Sequence, residues 1–178
     1  MEYKKLLIQQ QTYNGSTYTN VGQVVDTQTA FHVVCQEFPF KYLPETKDLP
    51  KRDWYDEDGE DVYIPTDGLR FKAYEMEVKF LYVGSQDQMK NELKSFIDFI
   101  CGKNTSGSPL LAVYDEYTQT GRRGVYVTEV GNELLTYDDS NGKYVNGSFV
   151  SDVIGVFKVK FRVTDPVYSV QYSNGALS

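Results

Sequence analysis

Apolar side chains recur along this chain at two different periods, and the switch between them marks out its elements. Between residues 70 and 82, Tyr74, Met76, Val78, Phe80 and Tyr82 alternate with Glu75, Glu77 and Lys79, and Lys72 shares the apolar face near its start. Period two predicts a long strand with one core face and one wet face. The period then lengthens. Met89, Leu93, Phe96, Ile97 and Ile100 fall on one helical stripe, with Lys90, Glu92, Lys94 and Asp98 around the remainder. Ser85 is a suitable N-cap, and Gln88 stands three residues later as in a capping box. Gly102 suits a left-handed C-terminal residue, and Lys103 suits the negative end of the helix dipole. The spacing predicts a helix over about residues 85–101.

After Pro109 the strand pattern resumes. It predicts a strand at 110–114, another at 124–130, and a final long strand over about 152–163. In the last, Val153, Gly155, Phe157, Val159, Phe161 and Val163 oppose Lys158, Lys160 and Arg162. Residues 3–9, 30–38, 134–137 and 167–172 read as further strands, the last an edge strand after Asp165-Pro166. Asn14-Gly15 and Asn141-Gly142 mark turns, the second a tight reversal within 138–142. Residues 173–178 read as a flexible terminus.

Residues 39–68 have a different character. Pro39, Pro44, Pro50 and Pro65 punctuate them. Asp53, Asp56, Glu57, Asp58, Glu60 and Asp61 crowd their middle without an intervening base. This reads as a long charged loop, with a short strand at 62–64; a loop of this length in a compact domain is usually functional or disordered. Strands, a charged loop, one long strand, one helix and more strands predict a mainly β fold. The expected form is an antiparallel β-sandwich or partly closed β-barrel in a single domain over 1–178, with one packed helix.

Charge and composition narrow the function. The formal net charge is −7 over 178 residues, and the basic pairs Lys4-Lys5, Lys51-Arg52 and Arg122-Arg123 are short. A nucleic-acid binder needs clustered cations to neutralise phosphates, so sequence-specific nucleic-acid binding is not expected. No apolar run is long enough for a transmembrane helix, and MEYKKLLIQQQ does not read as a signal peptide. Asn14-Gly15-Ser16, Asn104-Thr105-Ser106 and Asn146-Gly147-Ser148 are therefore read as polar loops rather than glycosylation sites. The 15 Tyr and 10 Phe suit half-buried strands, wet subunit interfaces or a sugar platform.

Candidate chemistry is sparse. His32 is the one histidine, so any Ser-His or Cys-His arrangement must use it. Cys35 lies three residues on, which puts the pair on opposite faces of an extended segment. Cys35 and Cys101 sit in apolar settings and read as reduced core thiols. The acidic cluster is open to three readings: a solvated loop, a partner-docking loop, or a hard-cation site. Its spacing is not that of an EF-hand, because Gly59 stands fourth from Asp56 rather than sixth. Gly121-Arg122-Arg123-Gly124 reads as a connecting turn, either a solvated hairpin tip or an interface contact to a carboxylate or phosphate. No catalytic, cofactor or metal residue is assigned. The expectation is a non-enzymatic binding or assembly module. The alternative is a carbohydrate-binding β-sandwich, with or without calcium support.

The segments RFKAYEMEVKFLYVG at 70–84, QMKNELKSFIDFICG at 88–102 and VFKVKFRVTDPVYS at 156–169 resemble tail proteins of long-tailed bacteriophages and prophages. The likeness is greatest to the N-terminal domain of distal tail proteins, and related folds occur in tail tube proteins. RDWYDEDGEDVYIP at 52–65 is similar to the charged stretch that precedes the long strand in some prophage relatives. The resemblance covers about residues 20–172. It implies a structural or adaptor subunit of a ring at the tail tube or baseplate, commonly hexameric, in contact with other tail or baseplate proteins. It also implies residence in the virion tail after assembly in the bacterial cytoplasm. A second, carbohydrate-binding-like domain of full-length distal tail proteins has no clear counterpart in this sequence.

Overall fold

A computed structural model describes residues 5–38, 40–42, 44–105, 107–131, 136–137, 143–145, 148–150 and 155–178. In chain order the elements are β1 (Leu6–Tyr13), β2 (Tyr18–Asp26), α1 (Thr27–Phe31), β3 (Val33–Glu37), β4 (Lys51–Arg52), β5 (Asp61–Val62), β6 (Tyr74–Tyr82), α2 (Gln86–Ile100), β7 (Leu110–Asp115) and β8 (Thr120–Val130). They continue with β9 (Thr136–Tyr137), β10 (Lys143–Val145), β11 (Ser148–Val150), β12 (Gly155–Val163), β13 (Tyr172–Ser173) and β14 (Ala176–Leu177). The expected reversal within 138–142, the strand residues 134–135 and the first residues of the 3–9 and 152–163 strands lie outside the described residues.

One large antiparallel sheet carries the fold, in the order β2-β1-β7-β8-β12-β6-β3, with β9 also pairing β12. Among the described residues three two-stranded ladders accompany it: β4-β5, β10-β11 and β13-β14. The longest pairing joins β12 to β6, from Gly155 opposite Tyr82 to Val163 opposite Tyr74. Its in-register faces explain the alternation in both strands. Val159 meets Val78 and Phe161 meets Met76 inside, while Arg162 meets Glu75 and Lys160 meets Glu77 outside. On the wet face Lys158 reaches Glu77 at 2.7 Å, and Lys160 reaches Glu129 of β8 at 2.7 Å.

The sheet is strongly curled. Laid flat, its seven main strands would hold β2 and β3 about 29 Å apart at ~4.8 Å per strand. These two edges are nevertheless consecutive in the chain, joined through α1, whose five residues span about 7.5 Å. Helix α1 packs on β1, β2, β3 and α2 and spans the gap between the edges. Strands β2 and β3 share no ladder, so the sheet is not a closed barrel.

Helix α2 covers the concave face. Leu93, Phe96, Phe99 and Ile100 bury against the apolar sides of β6, β7, β8 and β12. Phe80 stands at the centre, with its ring centroid 5.3 Å from that of Phe96 and 5.4 Å from that of Phe157. The expected helix limits hold to within a residue. Ser85 occupies the N-cap in extended conformation but makes no side-chain cap bond. The C-terminus closes as expected: Gly102 takes φ +69°, its N–H donates to Phe99 O, and Lys103 N–H donates to Asp98 O. That pair of bonds is a Schellman motif. Buried Gln10 of β1 also donates to Phe99 O at 2.8 Å, tying the last turn to the sheet.

Two expected strands change character. The stretch 30–38 is helical up to Phe31, because Asp26 caps α1 by accepting from Gln28 N–H at 3.0 Å and from Thr29 Oγ1 at 2.8 Å. Of 167–172 only Tyr172 enters a ladder, the two-residue pairing with β14. The segment instead lays Val170 and Leu177 on the convex side of the sheet, against Leu7, Ala112 and Tyr114. Residues 173–178, expected to be a flexible end, include β14 and carry buried Leu177.

Candidate functional site

The charged excursion is a β-ribbon arm. It leaves the sheet after β3 and returns into β6. Its root is laddered: Lys72 N–H donates to Glu45 O at 2.7 Å, Lys47 N–H donates to Arg70 O at 2.7 Å, and Thr46 bridges Phe71. Farther out, Tyr63 N–H donates to Pro50 O, and β4 pairs with β5 through Lys51–Val62 and Arg52–Asp61. The expected short strand at 62–64 is thus present in part, as β5. Pro44, Pro50 and Pro65 lack a donor and keep the two ladders short. Ion pairs brace the ribbon: Lys72 to Asp48 at 3.0 Å, Lys51 to Glu60 at 2.8 Å, and Arg70 to Asp67.

The tip gathers the candidate residues. Asp53, Asp56, Glu57, Asp58, Glu60 and Asp61 are all exposed. Among the described residues only Glu60 of these six holds an ion pair. Aromatic and aliphatic side chains stand among them. Tyr55 is 99% exposed, Tyr63 67% and Ile64 65%, with Trp54 and Val62 also open to solvent. More than half of the large apolar side chains left exposed among the described residues lie between Tyr42 and Leu69. The acidic residues do not gather as a cation site: among the described residues no group of three or more His, Cys, Asp or Glu is placed to hold a metal ion.

The arginine pair departs from its expected setting. The reversal between β7 and β8 falls at Glu116–Gln119, where Asp115 accepts from Thr118 N–H and Oγ1. Arg122 and Arg123 lie inside β8 rather than on a turn. There the register to β7 slips, with Leu111 opposite Val125 but Val113 opposite Arg122, and Gly124 takes φ +64°. Gly-Arg-Arg-Gly is therefore a bulge, and Arg122 and Arg123, successive along the strand, point to opposite faces. Arg122 is buried at 4% exposure, so it offers no surface contact. Its guanidinium donates to Gly121 O at 2.9 Å and to Lys41 O at 3.3 Å, and it stands 5.7 Å from the Phe40 ring centroid. Arg122 thus pins the root of the arm. Beside it, burial pushes the Tyr74 hydroxyl above the usual phenol range. Arg123 lies over the Tyr168 ring at 3.4 Å and near the Tyr18 ring at 4.9 Å, and its Nε donates to Asp165 at 2.7 Å. It fastens the segment after β12 to the convex side.

His32 has a local structural role. It is the left-handed C-cap residue of α1, at φ 53°, so the extended geometry assumed for residues 30–38 does not apply to it. Its Nδ1 lies 3.0 Å from Glu92 Oε2, the same oxygen that accepts from Tyr82 OH at 2.5 Å. Burial, then the hydrogen bond to Glu92, hold the Tyr82 hydroxyl far above the usual phenol range. Cys35 is buried in the core and Cys101 is half-buried at the end of α2.

No family model matches the chain, and no curated protein does. Among solved structures it is similar to the SPP1 Dit (gp 19.1) protein, a phage protein described as a paradigm of the hub adsorption apparatus in Gram-positive infecting phages. The sequences are 13% identical, and the TM-score is 0.48. The match takes in 94% of this chain and 52% of that one, so the chain spans about half the length of the protein it resembles.

Proposed function

We propose that this protein is a structural or adaptor subunit of a phage or prophage tail, without enzymatic activity. In this reading the 178-residue domain self-associates into a ring at the tail tube or baseplate, and the arm docks each copy on its neighbours. One observation carries it. The arm concentrates exposed aromatic side chains and acids on a braced ribbon whose tip, residues 53–60, is exposed throughout. Ordering such a segment costs about 1–2 kcal/mol per residue in backbone entropy. Aromatic area repays that cost only when it leaves water, as it does at the centre of an interface. The sequence resemblance to tail proteins supplies the setting, including contact with other tail proteins and residence in the virion. The exposed sheet edge at β2 offers further surface for neighbouring copies.

The test shortens the arm while sparing its root. Residues 53–60 are replaced by Asn-Gly, a two-residue turn that suits the antiparallel Arg52–Asp61 pair. Sedimentation velocity is expected to show oligomers for the full chain and a monomer for the variant, with an unchanged melting temperature. Unchanged assembly, or a variant that no longer folds, would contradict the assignment of the arm.

A further inference from the structure

Beside the C-terminal end of α2 the surface opens into an apolar groove of about 380 Å³. Ile100, Cys101, Pro109, Leu110, Tyr126 and Val127 line it. The helix carries an exposed cationic flank up to that groove. Lys90, Lys94, Ile97 and Cys101 fall on one stripe at helical spacing, and Lys103 follows the Schellman turn. Lys90, Lys94 and Lys103 are exposed, and none forms an ion pair with another described residue. Most other described lysines are different: Lys5, Lys41, Lys51, Lys72, Lys158 and Lys160 each face a carboxylate of the same chain.

The arm tip has the complementary inventory. Trp54 and Tyr55 are exposed beside Asp53, Asp56, Glu57 and Asp58, and none of these four acids has a described cation partner. From the laddered root at Thr46 to Trp54 the ribbon extends about 26 Å at ~3.3 Å per residue. At full extension that length is enough to reach an adjoining molecule.

We infer that the groove beside Cys101 receives the Trp54-Tyr55 tip of a second copy of this chain, with the tip acids facing Lys90, Lys94 and Lys103. This rests on the reading of the arm as a docking element and names the surface it docks on. The contact joins unlike surfaces, arm to groove, so it is heterologous: repeated from copy to copy, it closes a ring or propagates a stack. Aromatic anchoring in a pocket supplies affinity, while the charge match sets register and partner choice.

The groove already holds a thiol, which makes the contact trappable. Cysteine is placed in turn at three arm positions, as W54C, Y55C and E57C, in the full-length chain, and mild oxidation is applied under alkaline conditions. Burial raises the Cys101 thiol above its ordinary range, and the alkaline medium restores its thiolate. At least one variant is expected to give covalent dimers and higher species on a non-reducing gel. Adding C101S should abolish them, whereas C35S should not, because Cys35 is buried in the core. Reversing the flank with K94E and K103E should reduce the cross-link at least several-fold. Oligomers by mass with no Cys101-dependent cross-link at any of the three positions would overturn the groove assignment and leave the docking arm standing. A chain that stays monomeric at all concentrations and gives no cross-link would overturn both.

Discussion

Replacing Phe80 by alanine is expected to destabilise the domain by about 3–5 kcal/mol, the range for removing a buried aromatic ring. Phe80 is fully buried and central to the aromatic cluster. Its ring meets Phe96 on α2, Phe157 near the start of β12 and Phe161 farther along the same strand, at 5.3, 5.4 and 6.4 Å between centroids. Removing it strips partners from helix and sheet at once, and close-packed neighbours collapse only partly into the space. In a protein of this size such a loss lowers the melting temperature by roughly 6–20 °C. Calorimetry on Phe80→Ala and Phe80→Leu checks it. The leucine variant should recover a substantial part of the loss, because it refills much of the cavity. A shift of only a degree or two for the alanine would place the core elsewhere.

The second large effect is expected at Gly102. An alanine there would hold a side chain at φ +69°, at a cost of about 1–2 kcal/mol. Its Cβ would also fall 2.4 Å from Pro109 N and 2.5 Å from Ser108 C. Both are backbone atoms, so the loop entering β7 must shift rather than a flexible side chain. With overpacking added at about 1–3 kcal/mol, the total is roughly 2–5 kcal/mol. Denaturant unfolding of Gly102→Ala measures it. Proximity to the Cys101 groove gives the variant a second readout: displaced Pro109 and Leu110 should also weaken the arm cross-link in any fraction that remains folded.

The elements with strong periodicity were legible in the sequence. Strands β6 and β12 alternate because one face meets α2 and the other meets water. Helix α2 showed its stripe and its terminating glycine. Less was legible where a residue's role depends on a distant partner. Strand β2 lacks alternation because it is a largely exposed edge strand with Thr19, Asn20 and Gln23 open to solvent. Helix α1 has only five residues, too few for a periodic signal, and its mark was the Asp26 cap alone. Gln9, Gln10 and Gln11 look like a polar strand end. They are buried because Gly22 O, Phe99 O and Asn20 Oδ1 accept from their amides.

The candidate site divided in the same way. The acidic cluster and its prolines announced an excursion, and the arm is there. Its bracing was not visible, since the Lys72–Asp48 and Lys51–Glu60 pairs couple positions that only the ribbon ladder brings together. Gly121 and Gly124 suggested a turn because glycine often marks one. Here Gly124 serves a bulge inside β8, and its neighbours Arg122 and Arg123 hold the arm root and the C-terminal segment. The lysine flank beside the groove had no signal in the sequence. Its meaning comes from the absence of described carboxylate partners around Lys90, Lys94 and Lys103, which only the folded chain shows.

We propose above all that this chain assembles with itself. The most direct test is the solution mass of the full chain across concentration, with negative-stain imaging of any assembled fraction. A discrete multiple of the 20.4 kDa chain and closed rings or stacks of rings are expected. A single monomeric mass at every concentration, with no ring in any image, would contradict it.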